Sequence, residues 1–320
     1  MILLTGASGF VGHAVMLYLK DSHSVRVAVR HVNSAFPDNV EVKSAALSPD
    51  QDWTDTLKGI NVVIHCAARV HIMNDDVSDP LREFRRVNVD GTLQLAKQAA
   101  TMGVRRFIFI SSIKVNGEHT FPGQPFRADQ TPSPVDPYGI SKHEAEIGLN
   151  ELAKKSAMEI TIIRPPLVYG PGVKANFLSM MKWLDRGLPL PLGGVTNNLR
   201  SLVALDNLVD LIKICIDHSL AANQTFLVSD GEDLSTAELL IRMGKALGHP
   251  AKLINVPPRT LIFFARLLGR PDFAQRLCGS LQVDIRKTRE LLNWVPPLTT
   301  DSALRKSAEY WLRLKSGQTG

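Results

Sequence analysis

Thr5-Gly6-Ala7-Ser8-Gly9-Phe10-Val11-Gly12 is the stretch whose reading decides how this chain folds. It follows the apolar run Met1-Ile2-Leu3-Leu4 and leads into His13-Ala14-Val15-Met16-Leu17-Tyr18-Leu19, which has helical spacing. A buried strand, a glycine turn and a helix in that order predict a corner that binds a pyrophosphate. Gly6 permits the tight turn, Gly9 lets the backbone approach the phosphates, and Gly12 lets the helix pack closely on the strand. The glycines fall three apart rather than in the commoner G-x-G-x-x-G spacing, and a plain strand-to-helix turn would look similar. The flanking chain has to decide.

Working outward, Ser24 to Val29 reads as a second strand with Arg30 at its end. A dinucleotide fold places there the residue that reads the adenosine ribose, often an acid. An acid accepts from a free 2′-hydroxyl, whereas the Arg30 guanidinium suits a 2′-phosphate and so favours NADP, with NAD the alternative. Val40 to Lys43 and Asn61 to Ala68 read as further strands, the latter ending in the small residues Cys66, Ala67 and Ala68. Those would let a nicotinamide ribose approach, or simply pack tightly. Pro80 to Ala100 has amphipathic helical spacing interrupted by Asn88, and Gly103 stops it. Arg106 to Ser112 is the next strand, with Ser111 and Ser112 at its carboxyl end, where open α/β sheets bind ligands.

A helix opens at Tyr138 and runs to about Lys155, and Ile160 to Ile163 is a strand that Arg164-Pro165-Pro166 ends. Beyond Pro166 glycine turns surround a helix over 176–185, Leu202 to Val209 is core-like, and Thr225 to Ser229 is a strand. From Ser235 the chain is mostly helical. Strands alternating with helices predict an α/β fold, a Rossmann-type doubly wound parallel sheet with a smaller, mostly helical C-terminal substrate domain. The expected division is 1–165 for the dinucleotide, with 200–229 returning to it, and 166–199 with 230–320 for the substrate.

Composition narrows the classes. The 320 residues are 44% hydrophobic and 21% charged, as in folded globular chains, and the net charge is +6. No Lys/Arg cluster with interleaved aromatics marks a nucleic-acid groove. Cys66, Cys215 and Cys278 lack metal-ligand spacing and read as thiols in a reducing cytoplasm, with no metal site. There is no basic leader, and no apolar run approaches the ~18 residues of a membrane span. Leu261-Ile262-Phe263-Phe264 reads as core helix, with membrane contact left open.

Tyr138 and Lys142 lie four apart on a helix and share a face. A phenol of pKa about 10 is a poor base at neutral pH. A neighbouring ammonium and the charge of an oxidised nicotinamide favour the phenolate. Lys142 can also hold the nicotinamide ribose, and Ser112 can hydrogen-bond the reacting oxygen. Alone, such a Tyr/Lys pair is more often a surface pair; the glycine turn and the Ser111-Ser112 strand end favour the catalytic reading.

Together, Thr5-Gly6-x-x-Gly9-x-x-Gly12, Cys66-Ala67-Ala68, Asn88-Val89-Asp90-Gly91-Thr92, Ser111-Ser112, Tyr138-x-x-x-Lys142 and Arg164-Pro165 resemble the extended short-chain dehydrogenase/reductase family, over nearly the whole chain. Within it the chain looks most like nucleotide-sugar epimerases and reductases of the UDP-glucose 4-epimerase type, and more narrowly like UDP-N-acetylquinovosamine-type 4-reductases of polysaccharide pathways. The resemblance implies hydride transfer at sugar C4, with Ser112, Tyr138 and Lys142 catalytic. It assigns the dinucleotide to Thr5, Gly6, Ser8, Gly9, Phe10, Val11, Gly12, Arg30, Cys66, Ala67, Ala68, Asn88, Ser111, Tyr138, Lys142 and Pro165. The nucleotide sugar falls to Lys114, Asn176, Leu190, Leu192 and Arg200, the last on the pyrophosphate. It further implies a cytoplasmic homodimer through the helices over 80–100 and 138–155. Two departures stand out: Asn116 replaces a tyrosine that these epimerases commonly place beside the sugar, and Ala46-Leu47 replaces an acid near the adenine. Three functions remain open: an NADPH-dependent 4-keto-sugar reductase, a 4-epimerase retaining NAD, and a non-catalytic dinucleotide-sensing regulator.

Overall fold

The computed structural model describes residues 1–31, 36–70, 79–121, 123–269 and 271–317. Among the described residues ten strands follow in order: β1 (Ile2–Thr5), β2 (Val25–Val29), β3 (Val40–Ser44), β4 (Val62–His65), β5 (Arg106–Ile110), β6 (Glu159–Arg164), β7 (Leu167–Tyr169), β8 (Arg200–Ala204), β9 (Gln224–Leu227) and β10 (Asp233–Leu234). Seven of them form one parallel sheet in the order β3-β2-β1-β4-β5-β6-β9. β1, β2, β4 and β5 are buried at every position, as a sheet covered on both faces requires. On one face the Phe10–Leu19 and Leu205–Asp217 helices contribute Val15, Met16, Leu208, Ile212 and Cys215. On the other, Trp53 packs with Leu95, Ala99, Ala145 and Leu149 of the Thr92–Thr101 and Pro137–Lys155 helices. This is the Rossmann-type doubly wound sheet expected from the alternation of strand and helix.

Arg106 fastens the sheet to the Leu205–Asp217 helix. Only 1% exposed, it donates to the carbonyls of Cys215, Ile216 and His218 and to Glu159 Oε2, so a buried cation satisfies carbonyls that the helix end leaves unpaired.

The 200–229 segment divides. β8 joins β7 and β10 in a separate three-stranded sheet, whereas the Leu205–Asp217 helix and β9 return to the main one. Helices Ala175–Asp185, Thr236–Ala246 and Thr300–Lys315 close a third core with Tyr169, Phe177, Met181, Leu240, Met243 and Leu304. The C-terminal part is mostly helical, as expected. Two expectations change. β7 is a strand where only glycine turns were expected after Pro166, its three residues being too few to show alternation. Leu261-Ile262-Phe263-Phe264 is not core helix: the Pro258–Leu267 helix has no buried residue, and Phe263 and Phe264 are exposed.

A Cβ added at Gly12 would lie 2.2 Å from the Gly6 carbonyl oxygen, with no side-chain end there to give way. Gly12→Ala is therefore expected to lower stability by about 1–3 kcal/mol. Ser8→Ala, at an exposed position of the same turn, should stay within about 0.5 kcal/mol of the parent. Urea midpoints check both, and equal midpoints would contradict the close packing.

Candidate active site

Strand order reverses between β1 and β4, so their carboxyl ends border the crevice where such sheets bind ligands. Gly6 turns the chain at φ +76°, and a Cβ there would come within 2.6 Å of the Ala67 backbone nitrogen. The two strand ends are thus pressed together. Gly9 caps the Phe10–Leu19 helix in extended conformation, donates its N–H to the Gly6 carbonyl at 2.9 Å, and brings no side-chain cap. The first-turn amides remain available to an anion, and a dinucleotide pyrophosphate fits this cradle. Ser8 is exposed, while Phe10 and Val11 are half-buried at the helix start.

Thr5 is 2% exposed, and its hydroxyl lies 2.6 Å from His65 Nδ1 and accepts from the Ala67 N–H at 3.3 Å. His65 Nε2 sits 2.9 Å from the Thr92 hydroxyl. Burial, with the Lys142 charge adding to it, pushes the imidazole down to about 3, so it is neutral. Thr5 therefore holds the Cys66-Ala67-Ala68 loop in place rather than facing the crevice. Asn88 acts likewise: Oδ1 accepts from the Arg69 N–H at 2.8 Å and Nδ2 donates to the Arg69 carbonyl at 3.0 Å and the Ser141 hydroxyl at 3.0 Å. A π-helical turn, Arg85–Gly91, presents it, so the interruption read from sequence is a widened turn. Arg30 is exposed beyond β2, beside the glycine turn.

Side chains alternate at the end of β5. Ser111 turns inward and donates to Glu146 Oε1 at 2.5 Å; Ser112 starts a short 3-10 turn, and its oxygen accepts from the Lys114 N–H at 3.3 Å. The Ser112 hydroxyl hydrogen finds no acceptor among the described residues, and the half-buried Tyr138 hydroxyl makes no hydrogen bond there either. Both are free to act on a ligand. Lys142, 2% exposed, donates to the Ile110 carbonyl at 2.8 Å, with its Nζ 4.3 Å from the Phe109 ring centroid and 6.0 Å from that of Tyr138. Burial lowers its ammonium to about 8, partly offset by Cys66 and Glu146. Burial also raises the Tyr138 phenol, reinforced by Asp136. A phenolate there needs positive charge close by.

Glu146 is the residue that sequence reasoning missed. Eight positions after Tyr138 and four after Lys142, it shares their face. It is locked to Arg164, with Nη2–Oε2 at 2.5 Å, and Arg164 Nη1 donates to Asn116 Oδ1 at 2.9 Å. Asn116 is 1% exposed and also donates to the Arg127 carbonyl. The departure set beside the sugar thus lies in a buried network, and Ser111, assigned to the dinucleotide, has its hydroxyl committed there too. The Pro165 carbonyl accepts from the Ile113 N–H at 3.0 Å and so braces the turn that carries Ser112.

Of the residues assigned to the sugar, Lys114 pairs with Glu118 at 3.1 Å and with Asp136. Arg200 donates to the Gly279 carbonyl at 3.0 Å, and its pKa is lowered by burial and by the nearby Arg276 cation. Two guanidiniums there favour an anion. Asn176 is exposed on the Ala175–Asp185 helix, and Leu190 exchanges backbone bonds with Lys252 and Ile254. Leu192 buries its side chain in the third core.

Residues 2–229 match the NAD dependent epimerase/dehydratase family. A UDP-glucose 4-epimerase from Vibrio cholerae is 50% identical over 314 residues, spanning 98% of this chain and 95% of its own. A UDP-glucose 4-epimerase from Mycolicibacterium smegmatis is 28% identical over 334 residues, covering 97% of each chain. Among solved structures, UDP-N-acetylglucosamine 4-epimerase from Bacillus cereus shares the fold, with a TM-score of 0.80 at 19% identity over 98% of this chain and 99% of that one. By that match over most of its length and by its half-identical relative, the chain belongs to the NAD-dependent epimerase/dehydratase family.

Proposed function

We propose that this enzyme oxidises and re-reduces C4 of a UDP-linked hexose, inverting it as a 4-epimerase. The observation that carries the reading is the pair of unspent hydroxyls, Ser112 and Tyr138, at the sheet's carboxyl edge with the buried Lys142 ammonium behind them. The Vibrio relative, matched over nearly all of both chains, supports the UDP-hexose. On this reading 1–165 holds the dinucleotide, the C-terminal part holds the nucleotide sugar with Arg200 on its diphosphate, and two copies pair through the helices over 80–100 and 138–155.

A bound nicotinamide dinucleotide supplies the hydride acceptor and donor, and the Gly6–Gly12 cradle holds its pyrophosphate. Tyr138 Oη takes the O4 proton as the C4 hydrogen leaves with its bonding pair as hydride, and returns it once the 4-keto sugar has presented its opposite face for hydride return. Ser112 donates its free O–H to O4 throughout. Lys142 uses one N–H on the Ile110 carbonyl, leaving two for the ribose while its charge stabilises the phenolate. Glu146 and Arg164 hold the Lys142 helix against β6.

A second reading, an NADPH-dependent 4-keto-sugar reductase, is favoured by Arg30, whose guanidinium suits a 2′-phosphate. The Asn116 argument for it falls away with that residue's burial. To separate the two, UDP-glucose is supplied without added cofactor and C4 configuration is followed by NMR. Sustained gluco–galacto interconversion is expected. Its absence, together with stoichiometric NADPH loss on a 4-keto substrate and a ten- to hundredfold selective loss of NADPH affinity in Arg30→Asp, would establish the reductase; that range corresponds to ~1.5–3 kcal/mol for a charge-assisted bond.

Tyr138→Phe is expected to lower turnover by about 10²–10⁴-fold while leaving cofactor affinity, measured by fluorescence titration, near the parent value. Parent-like turnover would remove Tyr138 from the mechanism.

Lys142 gives a stability test. Its folded pKa of about 8 lies below the usual lysine value, so charged Lys142 costs stability below pH 8. That cost is relieved as pH rises. The parent should therefore gain on the order of 3 kcal/mol relative to Lys142→Met between about pH 8 and 10, read from denaturant midpoints. A constant difference would contradict the buried, depressed ammonium.

A further inference from the structure

The Pro258–Leu267 helix packs against the Pro271–Cys278 helix and stands off the C-terminal core. Leu261 alone among its large side chains packs against that core. Phe263, Phe264, Leu267 and Leu268 are 63%, 55%, 73% and 75% exposed. Phe263 with Leu267 and Phe264 with Leu268 are pairs four apart, so the four side chains form one outward face. A run of this kind is normally buried, and here four large apolar groups meet solvent together.

Charge accompanies the apolar face. Lys245, Lys252, Arg259 and Arg266 are exposed, and no acidic residue occurs from 239 to 271. Arg259 precedes Phe263 by one turn and Arg266 follows it by three residues, so both border the face, with stems long enough to lie along apolar surface while the cations reach outward. Apolar side chains flanked by cations on a short helix match the physics of a segment lying in a bilayer interface. At ten residues the helix is about 15 Å long, half the ~30 Å of a hydrocarbon core, so it can lie on a membrane and not cross it. Among the described residues no helix is long and apolar enough to span one.

We propose that this helix docks the enzyme on an anionic phospholipid surface, burying Phe263, Phe264, Leu267 and Leu268 below the headgroups while Arg259 and Arg266 pair with phosphates. A second copy of the chain is a poorer occupant, because it would set the same cations against each other without neutralising them. The docked helix is linked to the candidate substrate site through the Pro271–Cys278 helix that it packs against. Thr236 Oγ1 donates to the Leu277 carbonyl at 2.6 Å, and Arg200 donates to the Gly279 carbonyl at the end of the second helix. A docked molecule therefore holds the Arg200 end of its crevice close to the lipid.

Co-sedimentation of the full chain with vesicles of phosphatidylcholine alone, and of phosphatidylcholine mixed with phosphatidylglycerol, tests this. Binding is expected only to the anionic vesicles and is expected to weaken with salt. Phe264→Ser with Leu267→Ser should lower partition by on the order of a hundredfold. Arg259→Glu with Arg266→Glu should lower it by about thirtyfold or more. Both variants should keep the parent's circular dichroism and unfolding midpoint, since the four positions are exposed, and the same sedimentation velocity. No binding to either vesicle, equal binding to both, or unchanged binding of the serine variant would overturn the proposal. So would a fall of the serine variant to a smaller sedimenting species, which would show a second copy covering the face.

Discussion

Everything at the crevice depends on how closely three backbone segments approach one another. The Gly6 turn, the start of the Phe10–Leu19 helix and the loop after β4 meet at distances that leave no room for a Cβ at Gly6 or Gly12. That contact sets the height of the helix amides above the sheet and the position of Ala67 beside them. The hydroxyl of Thr5, bonded to Ala67 and next to His65, fixes the same contact from below. Because burial keeps His65 neutral, the arrangement keeps one pattern of hydrogen bonds across ordinary pH.

Behind Ser112, Tyr138 and Lys142 lies a second constraint. Ser111, Glu146, Arg164 and Asn116 form a buried chain of hydrogen bonds joining the end of β5, the Lys142 helix, the end of β6 and the turn after Ser112. A buried ion pair contributes little net stability against apolar replacements of similar shape, and its defensible role is to select one geometry. Here it fixes the registration of the Pro137–Lys155 helix on the sheet, which decides where the Tyr138 oxygen lies relative to that of Ser112. It also places a carboxylate near Lys142 without pairing with it directly, which limits how far burial depresses the ammonium.

Much of this was legible in the sequence because the signals were local. The glycine turn, the strand–helix alternation and the four-residue spacing of Tyr138 and Lys142 each lie within one or two elements. What escaped was tertiary. Nothing local distinguishes Ser111 from Ser112, yet alternation at the strand end sends one to Glu146 and leaves the other free. The 3-10 turn Ile113–Val115 swings Asn116 inward to Arg164, which a linear comparison with relatives does not reveal. Leu192 looked like a loop residue but fills a core built from distant helices. Phe263 and Phe264 show the reverse error, since an apolar run states that burial is favourable and not what does the burying.

The π-helical turn Arg85–Gly91 bears on how this lineage can gain or lose residues. A widened turn is equivalent to one residue inserted into an α-helix, with the surplus absorbed locally instead of rotating all that follows. Deleting a single codon within it would restore ordinary winding and leave the two flanks on the faces they already cover. Leu95 and Ala99 would keep the sheet face they cover, while the widened turn that aims Asn88 at Arg69 and Ser141 would be gone. What the extra residue supplies is thus an amide aimed at the loop after β4 from a point eighteen residues before β5.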